Sequence, residues 1–80
     1  MTKPIAQQWN QFERSSIPRA APAIQRREMR RAFYAGVAAQ LHLLEGLGED
    51  EVSEDAGVAA LEAMKQEVLD FFEQVRQGKA

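Results

Sequence analysis

Eighty residues, a net charge of −2 and 45% hydrophobic side chains limit the chain to one small domain, which buries only about 60% of the surface that its unfolded form exposes. The absence of cysteine excludes a disulfide framework and a thiolate site, and one histidine cannot assemble a zinc site from the usual imidazole and thiolate ligands. Association between copies is the device left to complete so small a core, so a homodimer is expected.

The opening stretch MTKPIAQQWN lacks the basic start and continuous apolar run of a secretory signal. The least polar window, residues 32–44, contains Gln40 and His42 and falls short of the roughly 20 residues that span a bilayer. A soluble, cytoplasmic chain without a membrane segment is expected. Pro4 suits a first helical turn, and Ile5, Trp9 and Phe12 follow on one face, which predicts a short helix over about 4–14. The stretch SSIPRAAP interrupts it, because each proline lacks an N–H and biases its predecessor away from helical dihedrals.

A second helix is predicted over about 22–45. Met29, Phe33, Val37, Leu41 and Leu44 form its apolar stripe, flanked by Ala32, Gly36 and Ala39, small residues that let another backbone come close. Gly46 and Gly48 read as its terminators, Ser53 as the next N-cap, and Glu54 and Asp55 as first-turn acids. The third helix is predicted over about 54–77, stopping at Gly78. Its Leu61, Met64, Val68, Phe71 and Val75 recur in a heptad-like seam that Leu69 and Phe72 widen.

The expected architecture is therefore all-α: a short N-terminal helix, then a long antiparallel helical hairpin, in a single domain spanning 1–80. Folding about Asp50 would set Phe33 near Val68, Val37 near Met64, and Arg27 and Arg30 near Glu73 and Asp70. Charge favours such a hairpin. Residues 1–42 hold seven basic and two acidic side chains, a net +5, whereas residues 43–80 hold three basic and ten acidic ones, a net −7.

Arg26, Arg27, Arg30 and Arg31 form two pairs about 100° apart around the helix, so one pair at most can line the seam. The other pair is free for solvent, a second copy or a ligand. Arginine, tyrosine and tryptophan dominate interface hot spots, which makes the four arginines, Trp9, Phe12, Phe33 and Tyr34 the candidate partner-binding residues. Trp9 and Phe12 have core packing as their competing role.

A nucleic-acid-binding regulator using the arginine-rich start of helix two is the alternative, and a structural or assembly protein is a third. The pI of about 5.3 and the acidic turn argue against a duplex as partner. Catalysis is not expected, since His42 has no cysteine or strand-borne serine to activate. The acidic turn lacks the calcium-loop pattern, so no metal, cofactor or catalytic residue is assigned.

Residues 9–44, through Trp9, Pro18, Gln25, Arg31 and the run Ala32-Phe33-Tyr34-Ala35-Gly36, resemble the small helical early-region proteins of transposable phages and prophages of Gram-negative hosts, in particular the phage quorum-sensing anti-activator group. The resemblance implies a helical dimer that acts by contact with a host protein such as a transcription regulator, without enzymatic activity. It does not extend to the acidic turn or the third helix.

Overall fold

A computed structural model describes residues 2–80 of the chain. Three helices account for it: α1 (Pro4–Ser16), α2 (Ala23–Leu47) and α3 (Glu54–Arg76), with no strand among the described residues. The chain divides into two compact units, Met1–His42 and Leu43–Ala80. The boundary falls inside α2, at the same place where the charge changes sign.

Local chemistry sets the helix ends. Pro4 occupies the first turn of α1, where its missing N–H costs nothing. The helix runs two residues past the expected Arg14, because the Ser15 hydroxyl donates to the Gln11 carbonyl at 2.9 Å instead of competing for the backbone. It stops at Ile17, held extended at φ −106°, ψ 125° by the proline that follows. Ala21 N–H then closes a turn on the Pro18 carbonyl at 3.0 Å, and the Pro22 carbonyl accepts from Arg26 N–H at 3.1 Å at the start of α2.

The first unit has its core between α1 and the early part of α2. Trp9 and Ile17 are the buried hydrophobic residues, at 4% and 5% exposure. The Trp9 ring meets Phe33 edge-on, centroids 5.5 Å apart, while Phe12 lies 5.9 Å from Trp9 and 5.8 Å from Phe33. Each such aromatic contact contributes about 0.5–1.5 kcal/mol beyond the burial of area. Ile5 and Ala6 on α1 and Met29 and Val37 on α2 are half-buried. The N-terminal helix thus finds its apolar partner within its own chain.

In the second unit α2 passes through Gly46 and ends at Leu47. Gly48 N–H bonds to the Glu45 carbonyl at 3.1 Å and Glu49 N–H to that of Gly46 at 3.4 Å, a tightened last turn rather than a left-handed glycine cap. The Ser53 hydroxyl caps α3 by accepting from Ala56 N–H at 3.1 Å, with Glu54 and Asp55 in the first turn. At the far end Gly78 takes φ +76°. Its N–H bonds to the Val75 carbonyl and that of Lys79 to the Gln74 carbonyl, the pair of bonds of a Schellman stop, which glycine adopts without steric cost. Leu47, Val52, Ala60 and Met64 are half-buried around the turn, while every residue from Lys65 onward is exposed.

A candidate protein-interaction surface on the second helix

The four arginines of the α2 start take different roles. Arg26 turns back on the loop that precedes it: Nη2 donates to the Pro18 carbonyl at 2.7 Å and the Arg19 carbonyl at 3.0 Å, and Nε to that of Ala21 at 3.4 Å. Its Nη1 also lies 3.5 Å from Glu13 Oε2 on α1. A planar fork with several donors suits this position, because it satisfies loop carbonyls and a helix-borne carboxylate at once. Arg26 is accordingly a structural clasp of the first unit.

Arg27, Arg30 and Arg31 instead line a shallow concavity with Tyr34. All three guanidinium-bearing residues are exposed, and Tyr34 is half-buried. Arg30 Cζ lies 5.6 Å from the centre of the Tyr34 ring, within cation–π range. The Phe33 ring lies 6.1 Å from that of Tyr34 and edge-on to it. Arg31 contacts Glu28 at 3.4 Å. Among the described residues, neither Arg27 nor Arg30 has a carboxylate within salt-bridge distance. The surface therefore combines unneutralised planar cations with an aromatic face, an arrangement suited to carboxylates presented beside apolar groups.

The remaining candidates divide by burial. Trp9 lies inside the first unit and offers no surface to a partner. Phe12 is 36% exposed and Phe33 half-buried, so Phe12 offers more surface than Phe33. Ile17, the second core anchor, was absent from the expected core; its signal was a large aliphatic side chain directly before Pro18 in a linker of otherwise small, polar or proline residues.

Three acidic residues of α3, Glu62, Asp70 and Glu73, have local partners. Asp70 accepts from Gln66 Nε2 at 2.9 Å, and Glu73 accepts from Arg76 Nε at 2.8 Å as well as from Arg76 Nη2 and Gln77. The Arg76 guanidinium, followed by the Gln77 amide, holds the Glu73 carboxyl below its ordinary range, and Glu73 raises Arg76 in turn. No cluster of three or more His, Asp or Glu side chains able to hold a metal ion occurs among the described residues. None of the helices there is long and apolar enough to cross a membrane. No family model, curated protein or solved structure matches this chain.

Proposed function

We propose that this chain is a small non-enzymatic protein of a phage or prophage that binds and inhibits a host protein, such as a transcription regulator, in the bacterial cytoplasm. The observation that carries this reading is the exposed group of Arg27, Arg30 and Arg31 around the Tyr34 ring. The arginines steer and orient an acidic partner surface, and the tyrosine supplies burial at its centre. The resemblance of residues 9–44 to phage anti-activators points the same way.

The reading includes association of two copies, which the exposed apolar side chains of α3 support.

The test is affinity capture from a nuclease-treated Gram-negative lysate, comparing the intact chain with the variant Arg27→Ala, Arg30→Ala, Arg31→Ala, followed by titration of the captured protein. A defined host protein bound by the intact chain and weakened at least about thirty-fold by the variant, at unchanged helicity, is the expected result. Equal binding by the two chains would remove the arginine surface from the interaction. Retention of duplex DNA alone, falling steeply as salt rises, would assign the arginines to phosphate.

A further inference from the structure

The second half of α3 carries more apolar surface than one neighbouring helix can cover. Leu61, Val68, Leu69, Phe71, Phe72 and Val75 are each between 40% and 61% exposed. At 100° per residue they and Met64 occupy an arc of roughly 160°, against the narrow seam of a two-stranded coil and the stripe of about 100° typical of a surface helix. The acids on one flank are paired along the helix, Glu62 with Lys65 at 3.9 Å and Glu73 with Arg76, which lowers the number of isolated charges on that side. Lys65 and Arg76 fall within one edge of the arc, but their charged ends are drawn toward Glu62 and Glu73 and their stems add apolar cover.

We propose that two copies of this chain join along α3, running antiparallel, with Leu61, Met64, Val68, Phe71, Phe72 and Val75 of each facing those of the other. This rests on the association included in the proposed function and names its surface. Area supports a second copy as the occupant: the exposed side chains leave on the order of 600 Å² per copy, or about 1,200 Å² for two, the lower end of the range of specific interfaces.

Charge sets the direction. Glu49, Asp50, Glu51, Glu54 and Asp55 crowd the start of α3, whereas Arg76 and Lys79 lie at its end. A parallel pair would bring two such acidic clusters together; an antiparallel pair brings each toward the basic end of the other copy and opposes the helix dipoles.

The absence of cysteine makes the geometry directly measurable. Sedimentation equilibrium at several concentrations gives the stoichiometry, and a short bis-maleimide then reports proximity in chains carrying Leu61→Cys or Val75→Cys. In the antiparallel pair a mixture of the two variants forms a crosslinked species. Leu61→Cys alone does not, because its two copies lie about 21 Å apart at 1.5 Å rise per residue. Phe71→Glu with Phe72→Glu should raise the dissociation constant at least about thirty-fold, while far-ultraviolet ellipticity close to the parent's confirms that α3 is still helical and Trp9 emission that the first unit is still folded.

Crosslinking of Leu61→Cys to itself would overturn the antiparallel direction. A dimer in which neither the mixture nor the single variants crosslink would overturn the α3 surface and leave association itself standing. A monomer at all concentrations would overturn both, and capture of a host protein would remain an independent question.

Discussion

Arg26 donates from Nη2 to the Pro18 carbonyl oxygen at 2.7 Å, eight residues back along the chain. This bond, with those to Arg19 and Ala21, closes the linker between α1 and α2 onto the start of α2. Hydrogen bonds to a charged donor contribute about 1.5–3 kcal/mol where they are shielded and less where they are partly exposed, and the Arg26 side chain is 28% exposed. Arg26→Ala should therefore lower stability by roughly 1–2 kcal/mol, a fall in Tm of about 4–8 °C per kcal/mol for a domain of this size. Arg27→Ala, one position further on, should move Tm by less than about 2 °C. Thermal melts followed by circular dichroism check both, and equal shifts would contradict the division of roles.

Trp9 is the largest side chain in the core of the first unit. Replacing it with alanine removes its contacts with Phe12 and Phe33 and should cost about 3–5 kcal/mol. A chain this small has little more stability than that to lose. Urea titration followed by far-ultraviolet ellipticity should show loss of the cooperative transition in this variant. In the parent chain, Trp9 fluorescence should be blue-shifted when folded and move to the red across the same transition.

The Ser53 hydroxyl caps the start of α3. Ser53→Ala should cost about 1 kcal/mol and should act first on the start of that helix. Hydrogen exchange at the Ala56 amide is the sensitive measurement, with faster exchange expected. Ser53→Asp should keep protection close to the parent level, since an aspartate accepts the same bond and also complements the helix dipole.

Glu73 has its carboxyl held below the ordinary range by Arg76 and then by Gln77. A depressed folded value means that the folded chain prefers the ionised form. The contribution is present above the ordinary glutamate range and is lost as pH falls through the lower folded value. The last turn of α3 should therefore fray on the acid side of that range, seen as a chemical-shift change at Arg76 and Gln77 with a low midpoint. Glu73→Gln should abolish that local transition, and 1 M salt should shrink it, because both side chains of the pair are exposed to solvent.

The helices were legible in the sequence because their limits are set within a few residues. Pro4, Pro18, Ser53 and Gly78 act on backbone groups no more than five positions away, so helices predicted at about 4–14, 22–45 and 54–77 differ from those observed by two residues at most. Gly46 was misread as a stop for the same reason: with no left-handed conformation required there, the helix passes through it. The exposed trio of Arg27, Arg30 and Arg31 beside Tyr34 was legible as a group, since 100° steps place these residues on neighbouring faces of one helix.

What the sequence by itself determined was this local order and the opposition of charge between the two halves. Only the tertiary structure decided that Arg26 clasps a loop while its neighbours face outward, that Trp9 is sealed against Phe33, and that Ile17 is a core anchor. Those outcomes depend on where the α1 end and its linker lie against α2. Four arginines of identical chemistry are distinguished only by which of them finds carbonyl oxygens within reach once the chain has turned back on itself.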